Sequence, residues 1–482
     1  TIINQKEVKK ENLTQKNSQM KKYTTLLCLL IFWQQNAQNN LLNTLSLSEY
    51  LSYVKNYHPI VKQANLVINT SEAELLKARG AFDPKIEVDF DEKLFKETTY
   101  YNKLNGAFKI PTWYGVEFKA NFEQNEGLFL NSENELPLEG LYSAGVSVSL
   151  ARGLLTNERM TALKQAKFFL NQAKEDQQVL VNTILHNASM AYFNWLKTYN
   201  ERRVYASFLN NAKVRFEGTK RAFQEGEKPA IDTLEAGITL NSRRLNLEKA
   251  NIQLIKSSLE LSNYLWLNEN TPIELKENMI PDLNTVDTID KTFNIALFNN
   301  ENFNIENHPK IKSLGYKIQS LAANRRLKMN NLLPKIDFQY NFLSPNGTQI
   351  NALNTNNYKT GLNFSMPIFI RKERGDLKLA SVKLQDKKLE NDAAKVIIKN
   401  KINAIQQELA SYILQNDFTF KIVRDYDVLL KAEERKFFLG ESSLFLVNYR
   451  EEKYIDSKLK AIGLENAFFK AKASLFKEAV IS

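Results

Sequence analysis

Three histidines are the first residues to weigh for chemistry: His58, His186 and His308. An imidazole can act as general base, proton shuttle or metal ligand. None of the three stands in a pattern those roles need. There is no H-E-x-x-H pair, no P-loop and no nucleophile elbow. His58 and His308 each precede a proline, Pro59 and Pro309, and read as structural residues. His186 is alone on a long helical run. Cys28 is the single cysteine. It lies in an apolar leader, so the remaining chain has no disulfide, thiolate metal site or cysteine nucleophile. Carboxylates are abundant but scattered at helix-surface spacing. The sequence predicts no catalytic residue, no cofactor, no metal and a protein that is not an enzyme. The formal net charge is +11, with Lys and Glu interspersed along helices. A nucleic-acid partner would call for a concentrated basic stripe.

The elements that carry these histidines occur twice. His58-Pro59-Ile60-Val61-Lys62 opens a stretch that ends in Pro84-Lys85-Ile86-Glu87-Val88-Asp89-Phe90. His308-Pro309-Lys310-Ile311-Lys312 opens a stretch that ends in Pro334-Lys335-Ile336-Asp337-Phe338-Gln339-Tyr340. A second strand follows in each copy, Gly145 to Leu150 with Val146 and Val148, and Gly361 to Met366 with Leu362 and Phe364. Then comes a long helix, a turn and a further helix. The turns are Phe223-x-x-Gly226 and Phe437-x-x-Gly440. An internal repeat of this length governs the whole fold.

Within the first copy, Ser46 and Glu49 form a capping box for a helix to about Arg79, interrupted at Pro59 and ended by Gly80. Ile86, Val88 and Phe90 alternate with acidic residues, as in a half-buried strand or a barrel strand with lipid outside. The connection from about 95 to 140 holds two more strand-like runs, Gly106 to Ile110 and Tyr114 to Phe122. Whether it adds strands or forms an outer loop is left open. Its Tyr100, Tyr101, Trp113 and Tyr114 suit a membrane interface or an aromatic soluble hairpin.

The long helices are the strongest physical signal. Leu154 to Glu217 and Asp376 to Leu439 contain neither Gly nor Pro. Each run of about 64 residues would reach roughly 95 Å at about 1.5 Å per residue. Leu180, Ile184, Ala188, Ala191 and Trp195 form a seam, as do Ile398, Ile402, Ile405, Leu409 and Tyr412. Pro229 restarts a helix to about Leu267, and Ser442 with Ser443 caps one to about Phe476. Each pair makes a helical hairpin. A short helix is expected near Phe293 to Leu297.

Lys21 and Lys22, the apolar run Tyr23 to Trp33, and Asn36-Ala37-Gln38 read as a secretory signal with its cleavage site. The expected organisation is an upstream polar segment 1–19, a signal 20–38, a first repeat 39–268, a linker 269–300 and a second repeat 301–482. The strands occupy about 84–150 and 334–369, and the helical hairpins 154–268 and 374–480.

A signal, a tandem helix–strand–strand–helix repeat and two aromatic-x-x-Gly turns resemble the TolC-like outer-membrane efflux family, over about residues 45–480. The resemblance implies a mainly α fold with transmembrane β structure. Three chains would form one α-barrel tunnel across the periplasm, joined to a shared twelve-stranded β-barrel with four strands from each. It implies a passive outer-membrane channel of a tripartite efflux or type I secretion system. The partners it implies are outer-membrane lipid, a periplasmic adaptor and, indirectly, a resistance-type or ABC pump of the inner membrane. The two turns would form the periplasmic tip and contact the adaptor. Asp232 matches an acidic position that joins inter-helix polar links. Phe437 stands at a tyrosine position, Ser442 at an arginine position, and Leu446 and Tyr449 at positions of ring-forming aspartates. Closure is therefore expected to rest on apolar packing of Phe437, Phe438, Leu444 and Phe445. A periplasmic or secreted coiled-coil scaffold without channel activity is the competing reading.

Overall fold

The computed structural model describes residues 44–276, 278–295, 303–347 and 355–480. The expected signal, Cys28 and the segment before it lie outside the described residues, as does the end of the helix expected near Phe293 to Leu297.

The chain begins with β1 (Thr44–Leu45), α1 (Leu47–Tyr57) and α2 (Pro59–Gly80). Ser46 caps α1, its hydroxyl accepting from the Glu49 amide at 3.3 Å. Next come β2 (Lys85–Phe95), β3 (Thr98–Pro111), β4 (Val116–Glu126) and β5 (Leu141–Ser149). The first long helix is α3 (Glu158–Gln224), followed by α4 (Ala230–Ser262), β6 (Ile280–Pro281) and α5 (Thr285–Thr292). The short linker helix thus ends where it was expected to begin, with Phe293 as its C-cap. The second repeat follows as α6 (Pro309–Asn330), β7 (Lys335–Ser344), β8 (Tyr358–Ser365), α7 (Arg371–Phe438) and α8 (Leu444–Ala479). No helix among the described residues is long and apolar enough to cross a membrane.

The strands correct the expectation of four per chain. One antiparallel sheet has six, in the order β2-β3-β4-β5-β7-β8. The connection between the expected strands of the first repeat supplies the hairpin β3–β4 and a loop. A two-residue turn joins β2 to β3, with Lys96 at φ 50° and Glu97 at φ 61°. Both residues thus take the left-handed conformation that tight hairpins require, without the Asn-Gly or Asp-Gly pair that usually announces it.

The contacts divide the chain into two units. One contains β1, α1, α4, α5, the later part of α3, and parts of α7 and α8. Its core packs Tyr50, Tyr192, Phe193, Trp195, Phe293 and Phe469. Tyr192 donates from its hydroxyl to the Leu45 carbonyl at 2.9 Å and accepts from the Asp282 amide at 3.2 Å. That hydroxyl satisfies backbone groups beside the short parallel pair β1–β6. The other unit contains the sheet, α2, α6 and the sheet-proximal parts of α3 and α7. Here Leu75, Leu163 and Ala166 pack with Phe82 and Trp113, whose rings stack at 5.7 Å. Lys328 and Asp376 bridge α6 and α7 at 2.9 Å.

The predicted seams are buried at seven of their ten positions, with Leu180, Leu409 and Tyr412 half-buried. Ile184, Ala188, Ala191 and Trp195 on α3, and Ile398, Ile402 and Ile405 on α7, are buried. His308 caps α6, its Nδ1 accepting from the Lys310 amide at 3.1 Å. His58 ends α1 and stacks on Tyr264 at 5.7 Å.

Candidate functional site

Two places carry the candidate function, one in each unit. The first is the sheet. Side chains alternate across a strand, so residues paired in register share a face. One row runs Ile86, Phe108, Ala120, Ala144, Phe342, Tyr358 across all six strands. Its neighbours on that face include Val88, Phe90, Phe118, Val146, Val148, Ile336, Phe338, Leu362 and Phe364. The opposite face carries the row Lys85, Lys109, Lys119, Gly145, Asn341, Lys359. Lys109 pairs there with Glu87, and the Ser149 hydroxyl donates to Asp337 at 2.8 Å. One face is apolar from edge to edge and the other polar. The apolar face is uncovered: Ile86 is 79% exposed, and Val88, Phe90, Leu362 and Phe364 are exposed as well. Soluble monomers rarely leave so large an apolar patch open. In β3, β4, β5 and β7 the apolar positions span about 20 Å of strand at about 3.3 Å per residue, near the height of a barrel's lipid band.

The second place is the pair of helical turns in the other unit. Each is a Schellman motif with glycine in the left-handed region, Gly226 at φ 79° and Gly440 at φ 78°. The Gly226 amide donates to Phe223 and the Glu227 amide to Ala222. The Gly440 amide donates to Phe437 and the Glu441 amide to Lys436. The aromatic-x-x-Gly spacing is thus the signature of a backbone motif. Phe223 is 43% exposed, whereas Phe437 packs on a cluster of Phe208, Leu430, Val447, Tyr454 and Ile455. The Lys228 ammonium lies 4.0 Å from the Phe437 ring centre. Leu444 is buried, but Phe438 is 89% and Phe445 64% exposed. The four residues expected to close the entrance therefore split, two facing inward and two outward. Ser443 caps α8 by accepting from the Leu446 amide. Ser442 instead donates to Glu433 at 2.5 Å. Asp232 lies half-buried in the first turn of α4.

Sequence reasoning missed the charges beneath the second turn. Glu451 is 0% exposed. Arg215 reaches it at 3.1 Å and Arg243 at 3.3 Å. Arg215 also contacts Asn448 and Glu434, and Asn448 donates to Glu235. Burial pushes the Glu434 carboxyl up, with the Arg215 charge opposing it. The network ties together α3, α4, α7 and α8 within that unit. A signal was present: Leu444, Val447, Glu451, Tyr454 and Ile455 form one helical stripe, so Glu451 is a charge in an apolar register. Arg243 likewise falls among Ala236, Leu240, Ala250 and Ser257.

A second missed feature lies on the exposed side of α4. Ile231, Leu234, Ile238, Leu245, Ile252, Ile255 and Leu259 are all exposed. They follow heptad spacing, the pattern of an open coiled-coil seam.

Neither a protein-family model nor any curated protein matches the sequence. Solved structures match across 90% of the chain. The outer membrane channel CmeC of Campylobacter jejuni superposes with a TM-score of 0.63 at 14% identity, over 85% of its own chain. The outer membrane protein VceC of Vibrio cholerae gives 0.63 at 11% identity, over 96% of its chain. The outer membrane channel MtrE of Neisseria gonorrhoeae gives 0.63 at 11% identity, over 88% of its chain. The chain has the fold of the TolC-like outer-membrane channels.

Proposed function

We propose that the chain is one subunit of a passive export duct in the outer membrane. Three copies share one β-barrel, and their helices form a tube in the periplasm. An adaptor meets the tube at the turns around Phe223, Gly226, Asp232, Phe437, Gly440, Ser442, Leu444 and Phe445. An inner-membrane pump, resistance-type or ABC, supplies the cargo and the energy. The observation that carries this reading is the sheet, with one apolar face, one polar face and two edges that have no partner strand among the described residues. Lipid tolerates no open edge, because each unpaired backbone group costs several kcal/mol there. The open heptad seam on α4 favours the same reading, since it needs a partner along its length.

At the turns, outward-facing Phe438 and Phe445 supply the apolar surface that neighbouring copies close upon. Phe437 and Leu444 hold the hairpin that presents them. Phe445→Ala should raise ion leak through the resting assembly, and an unchanged leak would sink apolar closure. The reading as a whole is tested by extracting residues 39–482 from outer membranes in mild detergent. A native mass of three copies, with ion conduction in planar bilayers, supports it. A soluble monomer without conduction would establish the coiled-coil scaffold instead.

A further inference from the structure

We infer that the extra hairpin β3–β4 is part of the membrane wall, so that the shared barrel has eighteen strands and a correspondingly wide exit. The inference rests on the three-copy reading above and concerns what each copy puts into the wall. Three observations carry it.

The hairpin is bonded into the sheet on both sides, β3 to β2 and β4 to β5, along most of its length. It does not stand off as a flap. Its two faces also continue those of its neighbours. Phe108 and Phe118 lie on the side of Ile86 and Phe342, while Asn121 lies with Glu87 on the other. An outer loop would have no reason to keep lipid-facing and water-facing sides in step with the wall.

Parity supplies the third argument. All five strand pairings are antiparallel, so β2 and β8 run in opposite directions at the two edges. Placing β8 of one copy beside β2 of the next therefore continues the antiparallel ladder. Six strands fall short of the eight that form the smallest single-chain barrels. Second and third copies of this chain are the partners that fit both edges. Six strands from each of three copies make eighteen. Barrel diameter grows about linearly with strand number, so this wall is about 1.5 times as wide as one of twelve strands. An eighteen-stranded wall encloses an aqueous channel, which suits bulky cargo at the exit.

The test uses single cysteines in the full-length protein carrying Cys28→Ser, assembled in liposomes and treated with a charged, membrane-impermeant thiol reagent. Phe118→Cys and Phe108→Cys lie on the apolar face of the hairpin, and Asn121→Cys on the polar face. The expected result is a three-copy assembly in which Asn121→Cys labels at least about ten-fold faster than the other two, because a charged reagent is excluded from hydrocarbon. Equal labelling at all three sites in a membrane-embedded trimer would put the hairpin outside the bilayer. That would overturn the eighteen-stranded wall and leave the duct standing. A soluble or non-trimeric product would overturn both.

Discussion

The two helical turns can be laid on each other residue by residue from Gly226 onto Gly440. Their backbones agree, with the same hydrogen bonds and φ values one degree apart. Their side chains do not. Phe223 looks to solvent where Phe437 is packed. Buried Glu451 of the second repeat falls where the first has Gly237, and Arg243 of the first falls where the second has Ser457. The duplication preserved what the chain direction demands and released what packing demands. Each repeat now supplies one half of a charge pair, so neither half can be judged from its own repeat.

The largest effect that would sharpen this contrast comes from Glu451→Ala. It leaves Arg243 without its carboxylate partner and Arg215 with only Glu434 and Asn448, and should destabilise the unit by about 3–5 kcal/mol, read as an earlier helical unfolding transition by circular dichroism. Substituting Glu235 to Ala, in the first repeat, should leave that transition almost unmoved. Next, Phe437→Ala should lower stability by about 2 kcal/mol, a partial-burial fraction of the usual aromatic truncation. Phe223→Ala should change it by less than about 0.5 kcal/mol. Equal losses at the two positions would break the comparison.

Smaller still are Gly226→Ala and Gly440→Ala. A Cβ meets nothing within 4 Å at either site, so the whole penalty is the left-handed conformation, about 1 kcal/mol each. Here the two repeats should respond alike, and unequal denaturation midpoints would show that the shared backbone is not shared in solution. The smallest effect is at the histidines. Burial pushes both His58 and His308 down from 6.5. The unfolded chain therefore takes up protons below pH 6.5 that the folded chain refuses. Stability should fall as pH drops through that value and level off below the folded pKa. His308→Gln should flatten part of that decline in a pH series of melting curves.

Much of the fold was legible because repeats, caps and alternation are local. Ser46 and Glu49 announced α1, and the Phe-x-x-Gly spacing announced both turns. The strand count was not legible. Lys96 and Glu97 make a hairpin turn without the residues that normally signal one, and the runs on either side were as consistent with a loop as with strands. The charge network was hidden for a different reason. The apolar register around Glu451 marks it as a buried charge, but its partners Arg215 and Arg243 lie more than 200 positions away in sequence and only the fold brings them together. The open seam on α4 was missed because its heptads face away from the chain's own core, so an exposed row such as Ile238, Leu245 and Ile252 reads in sequence like a buried one.

The sheet's even-numbered apolar side has a consequence for how such a sheet can change over time. From Ile86 to Phe364 the apolar positions paired across the six strands keep one parity. A lineage that gained or lost one residue inside a strand would turn the remainder of that strand inside out. One that gained a single strand would set two neighbours running the same way. Only a whole hairpin can enter or leave without disturbing the rest. The width of the sheet is thus inherited in steps of two strands, and β3–β4 has the size and position of one such step.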